Sequence, residues 1–307
     1  MHPRRILVTG ASGLLGLNLA LEAAKEHMVF GVANHHRLNT DAFTPLQADL
    51  LAPGTAERLI DQTQPDWVIH CAALANLDDC EKDPVQAQKM NTDVPRKLAE
   101  IVARGGARLV HISTDAVFDG LRGNYTEEDA PNPLSIYART KLDGERAVAE
   151  ANPEAIIARV NLFGWSLSGK RSLAEFFFYN LSAGKPVMGF TDVYFCPLLV
   201  NHLAQVLLKM LDLGLSGLYH TVSSECVSKY AFGVAIAGKF DLDEALVRPT
   251  SVADGGLAAA RSPNLTLRSD KLAKALGETL PNLSTGLQGL YTLYQQGYPQ
   301  SLGQLGN

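Results

Sequence analysis

Ile6 to Gly16 reads I-L-V-T-G-A-S-G-L-L-G, and this stretch decides the fold. Arg4 to Val8 is a short, mostly apolar, β-branched run ending in Thr9, the pattern of a buried strand. Gly10, Gly13 and Gly16 follow at spacing three, and Leu17, Leu19, Ala20 and Ala24 then keep a helical period. Strand, glycine turn and helix in that order bring unpaired N–H groups and the positive end of a helix dipole to one point, where a phosphate binds. The turn needs positive φ and the close approach needs residues without Cβ, so glycine is required. The spacing is G-x-x-G-x-x-G, not the commoner G-x-G-x-x-G. Arg4-Arg5 before an apolar run also suits a secretory leader. However, three glycines interrupt that run, and Glu22, Lys25 and Glu26 follow without a small-residue cleavage site, which argues against one.

Outward from this segment the pattern keeps alternating. Strands are expected at Met28–Ala33, Thr44–Gln47, Trp67–His70, Arg108–Ser113 and Ala155–Val160, with helices at 56–62, 84–103 and 133–151. Short connections between alternating strands and helices predict an α/β fold with a doubly wound parallel sheet of Rossmann type. Ligands of such sheets collect beyond the carboxyl ends of the strands. Gly10 to Gly16, Asn34 to Arg37, Cys71 to Ala73, Ser113-Thr114 and Val160-Asn161 all fall there. Residues 1–160 are therefore expected to form a dinucleotide-binding domain. Beyond Asn161 the rhythm breaks. Residues 161–307 are expected to build mainly a smaller α/β substrate lobe, with helices near 173–182, 201–211 and 228–238, a strand at 218–222, and segments around 190–212 returning to the first domain.

Composition narrows the function. The chain has 307 residues, 46% of them hydrophobic, and a formal charge of −5, so it can bury a large core but offers no basic face for nucleic acid. No apolar stretch reaches the length of a membrane span. Cys71, Cys80, Cys196 and Cys226 form no C-x-x-C pair and have no His at zinc spacing, which predicts reduced structural thiols in a cytoplasmic protein. Its N-x-S/T triplets at Asn124, Asn180, Asn264 and Asn282 then read as chance matches. No metal site is indicated, and a Mg²⁺ requirement is not legible.

Y-A-R-T-K (Tyr137 to Lys141) lies about 130 residues after the glycine turn. Tyr137 and Lys141 at i, i+4 share one helix face. A phenol has an ordinary pKa near 10, and a neighbouring ammonium is expected to lower it towards useful acid–base work. Lys141 can also hold the nicotinamide ribose hydroxyls. Thr114, at the end of its strand, is placed to polarise a substrate carbonyl. An i, i+4 Tyr–Lys pair alone is usually a solvated surface pair; the glycine turn and Thr114 reverse that assessment.

S-T-D-A-V-F-D-G (Ser113 to Gly120) with Y-A-R-T-K-L-D-G-E (Tyr137 to Glu145) resembles the extended short-chain dehydrogenase/reductases, and within them the dTDP-4-dehydrorhamnose reductase family. The likeness continues through D-V-Y-F-C-P (Asp192 to Pro197) and R-S-P-N-L-T-L-R-S-D-K-L (Arg261 to Leu272). It implies reduction of a nucleotide-linked 4-ketosugar by NADPH. It also implies a triad of Thr114, Tyr137 and Lys141 and a pyrophosphate loop of Gly10, Ser12, Gly13, Leu14, Leu15 and Gly16. Asp49-Leu50 would face the adenine, with Cys71, Ala72 and Ala73 lining the cofactor trench beside Ser113. Ala116 and Leu162 stand where the family usually has aromatics. Ala116, Asn161 and Arg261 are the candidate substrate contacts, Arg261 to the diphosphate, although a surface arginine explains it nearly as well. Related dehydratases carry Thr-Asp-Glu where this chain reads Thr114-Asp115-Ala116, so the acid–base partner for water elimination is missing.

Cofactor choice follows from Val32 to Arg37, V-A-N-H-H-R, which lacks the acidic residue that binds an NAD ribose. Arg37, with His36 beside it, is expected to pair a 2′-phosphate instead, with His36 or Asn34 making the contact if Arg37 faces solvent, and this favours NADPH over NADH. Gly164 to Lys170 mimics a P-loop, but Arg171 stands where Mg²⁺ needs Ser or Thr. Phe176 to Tyr179 suits core packing better than stacking on a base. The alternatives are an epimerase, a reductase of another sugar, or a non-catalytic NADP-binding regulatory subunit like the partner of methionine adenosyltransferase in this family. Oligomeric state, a homodimer included, stays open.

Overall fold

The structure is a computed structural model that describes residues 2–254 and 262–306. Its first half is built from β1 (Arg5–Thr9), α1 (Leu14–Ala23), β2 (Met28–Ala33), β3 (Thr44–Gln47), α2 (Thr55–Thr63), β4 (Trp67–His70), α3 (Leu77–Lys82), α4 (Pro84–Gln88), α5 (Val94–Gly105), β5 (Arg108–Thr114), α6 (Ile136–Ala151) and β6 (Ile156–Val160). The strands are nearly continuous apolar runs because helices cover both faces of a parallel sheet; Ile6, Leu7, Val8, Val68, Ile69, Val110 and Ile156 are all essentially inaccessible to solvent. β1 pairs in parallel with both β2 and β4, so the strand order reverses there and opens a crevice.

The second half contains short strands β7 (Leu162–Phe163), β8 (Val187–Phe190), β9 (Tyr194–Phe195) and β10 (Leu198–Leu199), helices α7 (Leu173–Ser182) and α8 (Val200–Asp212), and strand β11 (Gly217–Thr221). Strands β12 (Val227–Ser228) and β13 (Val247–Thr250) and helices α9 (Lys229–Lys239), α10 (Asp270–Leu276), α11 (Leu283–Gln295) and α12 (Tyr298–Gln304) complete it. Helix α8 packs on α1. β11 pairs with β6 and becomes the seventh strand, giving the order β11-β6-β5-β4-β1-β2-β3. The central sheet thus draws on the half expected to form the smaller lobe, and does so beyond residue 212.

Two helices depart from the sequence pattern. The run expected as one helix over 84–103 is α4, a π turn at Lys89–Asp93, and α5. Pro95 near the start of α5 cannot donate into a continuous ladder, which separates the two. The helix expected from Pro133 begins at Ile136, because Ser135 caps it by accepting from the Ala138 N–H at 3.2 Å.

The cysteines also depart. Cys196 and Cys226 are joined by a disulfide rather than held as thiols. Antiparallel pairing of β9 with β12 sets Phe195 opposite Val227, and the next pair outward is Cys196 with Cys226, with Cα atoms 4.0 Å apart. That proximity comes from strand register and leaves no trace in cysteine spacing. Cys71 and Cys80 are free.

Among the described residues no helix is long and apolar enough to cross a membrane, and no three His, Cys, Asp or Glu side chains are grouped to hold a metal.

Candidate active site

The crevice between β1 and β4 holds a trench lined by Gly10, Ser12, Gly13, Asn34, Asp49, Leu50, Cys71, Ala72 and Ala73, all expected cofactor residues, together with His35, Leu74, Gln86, Met90 and Arg171. Gly10 has φ of +69°, and a Cβ there would stand 2.8 Å from the Ala72 nitrogen, so the first turn can lie against the turn after β4 only as glycine. A Cβ on Gly16 would meet the Gly10 carbonyl oxygen at 2.2 Å, which fixes how closely α1 approaches the turn. The N-cap of α1 is Gly13; no side chain caps this end and no acidic residue lies in the first turn. The N–H groups of Leu14 and Leu15 are thus open to an anion while the Leu15 side chain is buried. These features fit a dinucleotide diphosphate.

Asn34, His35, His36 and Arg37 are all exposed beyond β2, while Leu38 is buried. His36 and Arg37 line a second cavity with His35, Asn39 and Gly306, next to the trench. The loop is tethered by the Asn39 N–H, which donates to the Leu305 carbonyl at 2.8 Å.

Thr114, Tyr137 and Lys141 do not line the trench itself; they stand past its Cys71 side, where Thr114 ends β5, the strand next to β4, and the Lys141 charge acts on Cys71. The Thr114 hydroxyl acts on the Tyr137 phenol and favours its ionised form. Lys141 is buried at 3% exposure and donates from Nζ to the Ile112 carbonyl at 2.6 Å. The expected lowering of the phenol by the ammonium does not occur here. Burial pushes Tyr137 up to about 12, with Thr114 pulling it back and the Asp115 carboxylate pushing it further. The lysine is drawn to β5, and desolvation outweighs what charge could do for the phenolate. Burial likewise brings Lys141 down to about 8, against the pull of Glu145. His70 and His111 stack beneath, 5.6 Å apart, and burial and the Lys141 charge drive both far down, His70 to about 3. Both imidazoles are neutral at pH 7, so the positive charge rests on Lys141. Cys71 is pushed up to about 12 by burial and lines the trench as a neutral thiol.

Several residues that organise this end went unassigned in the sequence. Glu145, one turn beyond Lys141, accepts a hydrogen bond from Ser113 Oγ and is gripped by Arg159 through Nε at 2.9 Å and Nη2 at 2.7 Å. All three are buried, so this network fastens α6 to β5 and β6; the Ser113 side chain serves it. Asn91, exposed by the π turn to neighbours on both sides, clamps the backbone of Leu74 at 2.8 and 3.0 Å and donates to Thr140 Oγ1 at 3.1 Å. A Cβ on Gly144 would meet the Asn91 carbonyl oxygen at 2.2 Å, so that glycine permits the contact. Glu81 of α3 accepts from the Ile136 N–H at 2.8 Å and holds the start of α6. Asp115 is buried, accepts from Asn161 Nδ2 at 2.5 Å and from Thr114 Oγ1 at 3.1 Å, and is raised by desolvation. Asn161, an expected substrate contact, is thus engaged with Asp115, while Ala116 is half-buried beside Thr114. Arg261 lies outside the described residues. T-D-A was the signal for Asp115, and Glu145 lies within the quoted Tyr137–Glu145 motif; their contacts depend on β6 and the loop after it.

The P-loop mimic has a different physical role. The buried Glu175 accepts from Ser166 N and Oγ, Arg171 N and Ser172 N, and with Ser172 forms a capping box on α7. The N–H groups a phosphate would need are already taken. Of the aromatic run, Phe177 and Phe178 are core, and Phe176 and Tyr179 are partly exposed.

The model of the RmlD substrate-binding domain family matches residues 4–296. A probable low-salt glycan biosynthesis reductase of Haloferax volcanii is 34% identical over 92% of this chain and 96% of its own length. The dTDP-4-dehydrorhamnose reductase of Mycobacterium tuberculosis is 35% identical over 88% of this chain and 87% of its own. The β subunit of mouse methionine adenosyltransferase 2 is 34% identical over 93% and 86%. The crystal structure of Bacillus anthracis dTDP-4-dehydrorhamnose reductase with NADP superposes with a TM-score of 0.83 at 26% identity, covering 94% of this chain and 99% of that one. This chain belongs to the RmlD substrate-binding domain family of extended short-chain dehydrogenase/reductases, and it is an NAD(P)-dependent oxidoreductase of that type.

Proposed function

We propose that the protein reduces the 4-keto group of a nucleotide-activated deoxysugar with NADPH, as a dTDP-4-dehydrorhamnose reductase does. The observation that carries this reading is Lys141 held to the Ile112 carbonyl at the end of β5, four residues after Tyr137 on α6 and beside Thr114. A bound nicotinamide supplies the hydride. Tyr137, with a pKa near 12, keeps its proton at neutral pH and gives it to the carbonyl oxygen as charge develops there. The Thr114 hydroxyl orients that oxygen, and Lys141 holds the ribose hydroxyls and offsets the phenolate left behind. Ala116, Asn161 and Arg261 are proposed to meet the sugar nucleotide, within a substrate-binding part contributed mainly by residues after 160. Ala116 in place of the dehydratase glutamate supports reduction over elimination.

NADPH is favoured by the absence of a carboxylate among Asn34 to Arg37 and by the NADP complex of the Bacillus anthracis relative. The likeness to methionine adenosyltransferase 2 subunit β favours a second reading, a regulatory NADP-binding subunit. Incubating the protein with NADPH and a panel of nucleotide 4-ketosugars, and following the loss of NADPH absorbance, separates the two. The proposal expects ketosugar-dependent oxidation, strongest with dTDP-4-dehydrorhamnose. NADPH binding with no oxidation by any ketosugar would favour the subunit.

A further inference from the structure

We infer that Arg171 is a ligand for the diphosphate of the bound dinucleotide, reaching the glycine turn from the second half of the chain. The inference rests on the reading of the trench as an NADP(H) site. Arg171 lines the trench together with Gly10, Ser12 and Gly13, the residues that shape the anion end of α1. Of the described residues lining it, Asp49 is acidic and Arg171 is the only lysine or arginine. Two phosphate charges brought to the glycine turn would otherwise meet only neutral donors there, backbone N–H groups and the Ser12 hydroxyl.

The placement is built rather than incidental. Arg171 N–H donates to Glu175 Oε2 at 2.9 Å, and Glu175 is itself 1% exposed and holds Ser166 and Ser172 as well. The backbone that presents the guanidinium is therefore pinned by a buried carboxylate, while the side chain is exposed and takes part in no ion pair among the described residues. Arginine's planar fork matches two phosphate oxygens at once. A cation from the second half of the chain over the diphosphate also ties cofactor binding to the position of the loop before α7.

The test uses the full-length protein and three probes: NADPH, 2′-AMP, which lacks the diphosphate, and dTDP, which carries the substrate's. Arg171→Ala keeps the backbone bond to Glu175 and should melt like the wild type. We expect the Kd for NADPH to rise about tenfold or more, to fall back part of the way in Arg171→Lys, and to become less sensitive to salt. Affinities for 2′-AMP and dTDP should stay within about twofold. An unchanged NADPH Kd would overturn the inference, as would equal weakening of 2′-AMP, which means a general disturbance. Loss of dTDP alone would assign Arg171 to the substrate diphosphate and overturn it too. A wild type that binds no NADPH would defeat the cofactor reading itself, separately from Arg171.

Discussion

The regions at the two ends of the cofactor trench follow opposite plans. At the Lys141 end, Ser113, Thr114, Asp115, Lys141, Glu145 and Arg159 are all buried and mostly hydrogen-bonded to one another. At the β2 end, Asn34 to Arg37 are exposed, and the loop is held by the buried Leu38, the Gln47 side chain donating to the Asn34 carbonyl at 3.1 Å and the bond from Asn39 to Leu305. Proton transfer needs atoms held within tenths of an ångström and a dry surrounding that sets pKa values. Discriminating a 2′-phosphate, as the proposed function requires, needs only a cation within reach, a part the exposed Arg37 is proposed to play. One end should therefore respond to mutation in stability or in turnover, the other in cofactor affinity alone.

The largest expected effect is on the buried network. Glu145→Ala leaves Arg159 charged, buried and unpaired, and should cost about 3–5 kcal/mol of unfolding free energy by denaturant titration. A loss below about 1 kcal/mol would mean that the pair does not hold α6. Tyr137→Phe comes next: turnover should fall about 10²-fold or more, the scale of general acid catalysis, with NADPH affinity and melting temperature unchanged. Near-normal turnover would remove the phenol from the chemistry.

Arg37→Ala tests the other end. It should weaken NADPH by about 1.5–3 kcal/mol and leave NADH nearly unaffected, as read by fluorescence titration of both. Equal weakening of the two would show that the loop, not the phosphate contact, was disturbed. The smallest effect is a pH limb. In the proposed mechanism Lys141 works as a cation, and burial brings it to about 8, so kcat/KM should fall as pH rises through about 8, by roughly tenfold at pH 9. Removing Glu145, which holds the Lys141 value up, should move that limb to lower pH. A rate flat from pH 7 to 10 would contradict the assignment.

The contrast also explains what was legible in the sequence. Strand β1, the glycine turn and the Tyr137–Lys141 pair depend on local rules, namely φ at Gly10, helical spacing and buried apolar runs, so they can be read from neighbours along the chain. The Cys196–Cys226 disulfide depends on the register of β9 with β12, and Asn91 works only because a π turn meets Gly144. The phenol pKa was misread for the same reason: a shared helix face says where a lysine starts, not that a β5 carbonyl will take its ammonium. Arg171 was noticed only as a residue that spoils a P-loop, because what matters is the buried Glu175 beneath it.

The most direct test of the central claim follows the hydride itself. NADPH carrying deuterium at the transferable position of nicotinamide C4 is incubated with the protein and a nucleotide 4-ketosugar, and the sugar product is analysed by mass spectrometry and NMR. The account predicts one deuterium at sugar C4 for each NADPH consumed. Unlabelled sugar with NADPH intact, or label at any other carbon, would contradict it.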